Sequence, residues 1–444
     1  MIDLRHGDCF DVLRTLGADS VDSVVTDPPY HLTSGNAAVD WAAMGSNGTK
    51  RPNVGPTNRD GSGHKTGFMG KQWDGGDIAF RPELWAEVLR VLKPGGHLLA
   101  FSGTRTYHRM ACAIEDAGFE VRDQIGWLYG SGFPKSLNVS KALDKAAGAE
   151  REVVGNSPFA SRKPNGSAVV HSVGLSSTPG AVITAPATDA ARQWDGWGTA
   201  LKPAWEPICV ARKPLAEPTV AAQVLKTGTG AINVDGCRVA ASDGYTENAV
   251  TQGVNTARTS YAPAVARRTF EPASAGRWPA NIAHDGSDEV LQAFAAFGER
   301  PGFSGGGRRE GLSTKRGSMA GPLGNGGEVR YQADTGTAAR FFYCAKSSRA
   351  ERGEGNTHPT VKPLSLMSWL VRLVTPPGGT VLDPFGGSGT TGLAAQAEGF
   401  RAVLIEREAA YIEIIKKRIA ASQPAQAASI AEQLDLVSLL DPAA

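Results

Sequence analysis

The sequence predicts an α/β fold built on a mostly parallel, twisted sheet, and three observations carry that prediction. Strand-like and helix-like segments alternate through the first 129 residues, the alternation resumes after about residue 339, and two strands run directly into an acidic residue followed by a sharp turn. Alternating strands and helices build parallel sheets because a helical crossover returns the chain to the starting edge. Ligands bind such sheets beyond the carboxyl ends of the strands, so the two acidic turns mark where a site belongs.

Taken in order, Ile2-Asp3-Leu4 reads as a short strand leading to Gly7-Asp8, and Phe10, Val12, Leu13 and Leu16 form a helical stripe. The strand Val21 to Thr26 ends in Asp27-Pro28-Pro29-Tyr30, where two prolines stop the ladder. Asp27 presents acceptors and Tyr30 a flat face, a pairing that suits a planar amine. Residues from about 31 to 78 lack periodicity and carry Lys50, Arg51, Arg59, Lys65, Lys71, Trp41, Phe68 and Trp73. So long an irregular stretch beside an active-site turn reads as a mobile loop that orders on substrate, with simple disorder as the alternative. Leu84, Trp85, Val88, Leu89 and Leu92 then mark a helix stopped by Lys93-Pro94-Gly95-Gly96. A strand His97 to Ser102, a helix Tyr107 to Ala117 and a strand Phe119 to Tyr129 complete a catalytic half over residues 1–134.

Periodicity fails over 135–338, apart from a strand near 206–212 through Pro207-Ile208-Cys209-Val210-Ala211. Arg258, Arg267, Arg268, Arg277, Arg300, Arg308, Arg309, Lys315 and Arg316 interleave with glycine and with Tyr261, Phe270 and Trp278. Basic loops with aromatics suit a surface that tracks phosphates and reads bases; a solvated insertion has the same composition. Order returns over 339–421. Phe341 to Ala345 reads as a strand, and His358-Pro359-Thr360-Val361-Lys362-Pro363 enters a helix with Leu366, Trp369, Leu370, Leu373 and Val374 on one side. Val381-Leu382-Asp383-Pro384-Phe385-Gly386-Gly387-Ser388-Gly389-Thr390-Thr391 is a strand, an acidic residue, a glycine turn and a helix start. The strand Ala402 to Ile405 ends in Glu406, a helix runs from Tyr411 to Ile419, and the tail 422–444 carries one apolar stripe, Ile430, Leu434 and Val437, suited to local packing or to a second copy.

The formal net charge of +2 argues neither for nor against nucleic acid, so any contact with it must come from a local patch. Five scattered cysteines without a CxxC pair predict a reducing compartment and neither a disulfide frame nor a zinc site. No signal pattern and no membrane-length apolar run occur, which predicts a cytoplasmic protein without a membrane partner.

The glycine turn lets backbone approach a ligand closely, the helix start offers unpaired amides, and an acidic residue after the next strand can hold ribose hydroxyls. A nicotinamide-dependent oxidoreductase shares these features. Two details favour S-adenosylmethionine instead: the turn is Gly-Gly-Ser-Gly rather than G-x-G-x-x-G, and Asp383 stands where a dinucleotide fold places glycine. A carboxylate there suits an ammonium group and repels a pyrophosphate.

Asp27-Pro28-Pro29-Tyr30 far upstream, His358 to Pro363, and Asp383 to Thr391 together resemble the β-class DNA amino-methyltransferases, the N6-adenine and N4-cytosine DNA methylases. The resemblance covers residues 1–134 and about 339–420. It implies a Rossmann-like class I S-adenosylmethionine-dependent methyltransferase with circularly permuted motif order, the catalytic half first, an irregular target-recognition insertion next and the cofactor half last. Ser131 to Ser136 and Gly276 to Asn281 also resemble segments of phage and bacterial members. By the same resemblance Asp27 and the Pro28 carbonyl accept from the target amine, Pro29 shapes the turn and Tyr30 stacks on the base. Asp383, Phe385, Gly386, Gly387, Ser388, Gly389 and Thr390 line the methionine part of the cofactor, Glu406 takes the ribose, Asp8 the adenine, and Thr360 and Lys362 lie near the cofactor. No metal is implied.

The resemblance implies duplex DNA as the partner, from which the base must flip to reach the pocket. By the resemblance, Asp at the first motif position usually accompanies adenine and Ser cytosine, so the expected product is N6-methyladenine, with N4-methylcytosine the alternative. Methylation of RNA or of a protein glutamine, and a silent binder of S-adenosylmethionine or DNA, are more remote readings. The setting is a bacterial or phage-infected cytoplasm, the assembly a monomer or homodimer, and a restriction partner is compatible with the family.

Overall fold

The computed structural model describes residues 1–31, 76–130, 132, 136–156, 182–240, 276–301, 335–345, 356–358 and 360–422. The expected substrate loop (apart from its ends), Arg258, Arg267, Arg268, Arg308, Arg309, Lys315, Arg316, Tyr261, Phe270, Ser131, Pro359 and the tail stripe lie outside the described residues. Among the described residues the strands are β1 (Ile2–His6), β2 (Val21–Thr26), β3 (Leu92–Phe101), β4 (Glu120–Leu128), β5 (Val153–Asn156), β6 (Val182–Thr184), β7 (Trp205–Arg212), β8 (Ile282–His284), β9 (Arg300–Pro301), β10 (Thr335–Gly336), β11 (Tyr343–Cys344), β12 (Thr380–Asp383) and β13 (Arg401–Glu406). The helices are α1 (Cys9–Thr15), α2 (Pro82–Val91), α3 (Tyr107–Asp116), α4 (Val139–Ala146), α5 (Asp189–Gln193), α6 (Val220–Thr227), α7 (Asp288–Ala295), α8 (Leu364–Val374), α9 (Thr390–Ala397) and α10 over 409–422. Among the described residues no helix is long and apolar enough to cross a membrane.

One nine-stranded sheet runs in the order β1-β13-β12-β2-β3-β7-β4-β8-β11. Every strand in it is parallel to its neighbours except β7, which is antiparallel to both β3 and β4. From β12 the chain steps outward to β13, and from β2 it steps the opposite way to β3. The strand order therefore reverses between β12 and β2, which opens a crevice at their carboxyl ends. Val381 lies opposite Ser23 and Leu382 opposite Val24, so the segments ending in Asp383 and Asp27 are neighbours in space. The amino-terminal and carboxyl-terminal stretches thus share one sheet, with β1 itself paired to β13.

A sheet covered by helices on both faces needs strands that are apolar on both sides, and β2 is buried at all six positions. Alternate residues feed alternate cores. Val25, Leu99 and Phe101 join Ile208, Trp369 and Leu370 on one face, while Val24, Leu98 and Ala100 join Leu84, Trp85, Met110 and Ile114 on the other.

Several expected boundaries move. The ladder of β3 begins at Leu92, because Lys93-Pro94-Gly95-Gly96 is absorbed as an irregularity between Val21 and Ser23, with Lys93 Nζ 2.5 Å from Asp22 Oδ1. Phe341 closes a 3-10 turn over Ala338–Phe341, which leaves only the two-residue β11 where a five-residue strand was expected. The middle region holds α4 to α7, where no helix was expected. In α4 the apolar positions Val139, Ala142 and Leu143 are only partly buried and the buried side is polar: Asp144 pairs with Arg151 at 2.5 Å and accepts from the amides of Ala187 and Thr188 and from Thr188 Oγ1. His31, which directly follows the Asp27–Tyr30 turn, is buried. Its Nε2 accepts from the Ala79 amide at 3.2 Å and its ring meets Phe80 edge-on, which brings the two ends of the 32–75 segment together.

Trp85 is fully buried and its indole N–H donates to the Ala79 carbonyl at 2.9 Å. Trp85→Ala should cost about 3–5 kcal/mol of unfolding free energy in urea titration, from lost burial and the cavity left behind. A loss below about 1 kcal/mol would mean the site collapses freely.

Candidate active site

Each strand of the crevice ends in a residue of the site. Beyond Thr26, Asp27 is partly buried, Pro28 buried, and Pro29 and Tyr30 partly buried. Thr106 Oγ1, at the start of α3, holds the Tyr30 carbonyl at 2.8 Å. Asp27 Oδ2 accepts from Lys362 Nζ at 2.6 Å. Its other oxygen, Oδ1, is buried and has no hydrogen-bond partner among the described residues. A buried carboxylate oxygen left open is costly, and sites that receive a donor from a ligand are where such an acceptor is found.

Lys362, just before α8, also donates to the Tyr30 hydroxyl at 3.1 Å and lies 3.3 Å from Glu206 Oε2. Its ammonium sits 4.8 Å from the centre of the Phe101 ring and 5.3 Å from that of Tyr30. Burial pulls the Lys362 pKa down, but Asp27 and Glu206 together outweigh it and the net direction is upward. The Tyr30 hydroxyl donates to Glu206 Oε2 at 3.0 Å. Burial first, then the Asp27 and Glu206 carboxylates, raise its pKa well above the usual phenol value, so it stays protonated and remains a donor.

Asp383 closes β12 on the other side of the crevice. Oδ1 accepts from Thr26 Oγ1 at 2.7 Å and from the Phe385 amide at 3.0 Å, and Oδ2 accepts from Thr391 Oγ1 at 2.6 Å. Burial pushes this carboxyl up to about 6 against those three bonds. The turn behind it is fixed by backbone: Gly386 N–H reaches the Ile405 carbonyl, Gly387 N–H reaches Glu406 Oε2 at 2.7 Å, and Gly389 N–H reaches the Gly386 carbonyl. Gly387 and Gly389 have φ of +53° and +80°, and a Cβ on Gly389 would stand 3.0 Å from Ile415. Arg418 on α10 donates to the Ser388 carbonyl and hydroxyl and to Thr390 Oγ1, which clamps the turn from outside.

Glu406 ends β13 with Oε2 on Gly387 N–H and Oε1 on Glu408 N–H, and burial raises its pKa. Asp8 lies past the end of the neighbouring β1, where it caps α1 by accepting from the Phe10 amide at 2.9 Å; the Gly7 amide meanwhile donates to the Glu406 carbonyl. Phe385 packs against the core face of α1 to α3. Thr360 is exposed, with its carbonyl 2.6 Å from His358 Nδ1, whose N–H donates to it.

The crevice therefore brings together Asp27, Tyr30, Lys362, Asp383 and the 385–390 turn, with Glu406 and Asp8 on the next two strand ends. Lys362 stands at the catalytic motif, bonded to Asp27, whereas the sequence placed it beside the cofactor. Thr360 makes no contact with the other predicted residues in these hydrogen bonds. Sequence reasoning missed Glu206. It stands at the start of β7, opposite Trp127, and because β7 runs antiparallel its beginning falls at the same edge where the other strands end. The available signal was an acidic residue directly before the apolar run 207–211.

The profile of the N6/N4 DNA methylase family matches residues 21–153 and 284–417, more than half of the chain. Among curated proteins, the type II methyltransferase M.HinfI of Haemophilus influenzae is 40% identical over 82 residues, which are 18% of this chain and 23% of that protein. The type II methyltransferase M2.DpnII of Streptococcus pneumoniae is 40% identical over 75 residues, 17% of this chain and 28% of that one. The matched segments span less than a third of either relative. Among solved structures, the M1.HpyAVI–SAM complex aligns over 94% of this chain and 100% of that one, at 16% identity and a TM-score of 0.34. The PvuII cytosine-N4-specific DNA methyltransferase aligns over 94% and 86%, at 13% identity and a TM-score of 0.40.

The raised Asp383 pKa has a signed consequence. A carboxyl that titrates higher in the fold than in the unfolded chain binds its proton more tightly when folded, so its stabilisation is full below pH 3.8 and is lost as pH rises through about 6. Across that window the wild type should lose up to about 3 kcal/mol of unfolding free energy relative to Asp383→Asn, measured by urea titration. Parallel pH curves for the two proteins would contradict this.

Proposed function

The chain belongs to the N6/N4 DNA methylase family, and within it we propose a site-specific methyltransferase that acts on the N6 amine of an adenine flipped out of duplex DNA. The observation that carries this reading is the open, buried Asp27 Oδ1 beside the Pro28 carbonyl and the Tyr30 ring. An exocyclic amine brings two N–H donors, and Asp27 Oδ1 and the Pro28 carbonyl are two acceptors for them. Drawing both protons toward these acceptors localises on nitrogen the lone pair that otherwise spreads into the ring. Tyr30, whose carbonyl is held by Thr106, offers a face to the base. Flipping costs a few kcal/mol, which these contacts offset.

The residues of the glycine turn fit S-adenosylmethionine. Glu406 and Asp8 place carboxylates at adjacent strand ends for hydroxyl and amine donors, and backbone of the 386–389 turn passes close by without side chains at three of four positions. The 386–389 turn, Glu406 and Asp8 would hold S-adenosylmethionine, which would supply an electrophilic methyl group for the amine lone pair. The chain's own part is positioning and charge, with Lys362 fixing Asp27 so that Oδ1 faces the amine. Asp in the first motif position favours adenine over cytosine as the target. Residues 135–338 would supply target recognition, and a cytoplasmic place of action follows from a DNA substrate.

Two measurements test this. DNA from methylase-free cells expressing the chain should contain N6-methyladenine by nucleoside mass spectrometry, and none with Asp27→Ala. N4-methylcytosine would replace the base assignment, and no methylated base would sink the reading. Glu406→Ala should weaken S-adenosylmethionine binding by about tenfold or more in calorimetry, the loss of one charged hydrogen-bonding group. Unchanged affinity would remove Glu406 from the cofactor site.

A further inference from the structure

Glu206 has no role in the sequence motifs, yet it accepts from the Tyr30 hydroxyl and faces the ammonium of Lys362, the residue bonded to Asp27. Its Oε2 takes the Tyr30 hydroxyl at 3.0 Å and stands 3.3 Å from the Lys362 ammonium. The carboxylate is itself largely buried, with 21% of its side chain exposed, so water does little to screen it. Placing a second acid here needs a reason, because two buried carboxylates around one lysine repel each other.

Charge supplies the reason. Asp27 and Lys362 alone cancel, and a neutral pair gives little field to a centre that becomes positive. During methyl transfer the target amine carries positive charge until one of its protons leaves. With Glu206 the cluster holds one net negative charge, and that charge lies in a low-dielectric pocket where it acts strongly. We propose that Glu206 is a positioning residue for this reaction: through Lys362 and Tyr30 it keeps Asp27 Oδ1 open toward the amine, and it gives the pocket the negative charge that the cationic amine requires. The inference rests on the methyltransferase reading above.

The test uses the full chain, with Glu206→Gln and Glu206→Asp. Glu206→Gln leaves the shape and removes the charge. It should lower kcat by about tenfold to a hundredfold, with the KM for DNA and for S-adenosylmethionine within about twofold of wild type. Glu206→Asp keeps the charge on a side chain one methylene shorter and leaves Lys362 in place. Its kcat should exceed that of Glu206→Gln by about tenfold, a rescue that simple loss of packing would not produce. A readout free of turnover is the acetylation of Lys362 by acetic anhydride at about pH 8, followed by mass spectrometry of the ligand-free protein. Losing one carboxylate lowers the lysine pKa, so acetylation should speed up about threefold or more in Glu206→Gln. Wild-type kcat in Glu206→Gln, no rescue in Glu206→Asp, or unchanged acetylation would each overturn the proposal. A wild-type chain that methylates no DNA while Lys362 still responds to Glu206 would instead overturn the methyltransferase reading.

Discussion

The bond between Thr26 Oγ1 and Asp383 Oδ1 is the constraint on which the rest of the site depends. It joins the last residue of β2 to the last residue of β12, two positions far apart in the chain and adjacent in the sheet. On one side follows the Asp-Pro-Pro-Tyr turn, and on the other the glycine turn. Asp383 accepts from Thr26, Thr391 and the Phe385 amide, so it acts first as the joint that sets the distance between the two turns. Burial makes this joint expensive in its charged form, and the three donors are what make it tolerable.

From that joint outward the site is arranged by charge. On the β12 side carboxylates meet backbone amides: Glu406 receives Gly387 and Glu408, and Asp8 receives Phe10. On the β2 side carboxylates meet one lysine. The difference matters chemically. An amide-held carboxylate still has lone pairs for hydroxyl donors, whereas a lysine-held pair is close to neutral and must gain charge from elsewhere to act on a cation. Glu206 is the nearest source, and Tyr30 couples it to the turn that bears Asp27.

Legibility in the sequence followed from strand direction. Asp8, Asp27, Asp383 and Glu406 each follow or close a parallel strand, so an acidic residue after an apolar run was enough to find them. The elements that alternate in periodicity, β1 to β4 and α8 to β13, were readable for the same reason. Asp144 shows where this fails: α4 buries Ser140 and Asp144 and is held by an ion pair and hydrogen bonds to one carboxylate, while its apolar positions Val139, Ala142 and Leu143 are only partly buried, so apolar spacing does not mark the side that packs. His31 fails differently, because its burial is decided by Ala79 and Phe80, partners nearly fifty residues away that no local pattern connects to it. The place of Lys362 beside Asp27 is likewise a product of the closed sheet and not of the motif in which it stands.

Glu206 is hidden for a further reason that bears on how such a sheet builds its floor. In a wholly parallel sheet every strand delivers only its carboxyl end to the ligand edge, and the residues there are followed by loops that must turn away. β7 enters in the opposite direction between β3 and β4, so at that edge it contributes its beginning, with Glu206 opposite Trp127 and with Ile208 opposite Phe101. A residue placed in this way is held by ladder bonds on both sides and not by a loop, since the Ser102 amide donates to the Pro207 carbonyl on one flank and the Tyr129 amide to the Ala204 carbonyl on the other. That rigidity is what a charge acting at second hand requires: Glu206 does not need to reach the substrate, only to stay fixed while Lys362 and Tyr30 lean on it. The single reversed strand in the sheet thus does for the pocket what no parallel strand could, supplying a carboxylate beneath the site whose position does not depend on a mobile turn.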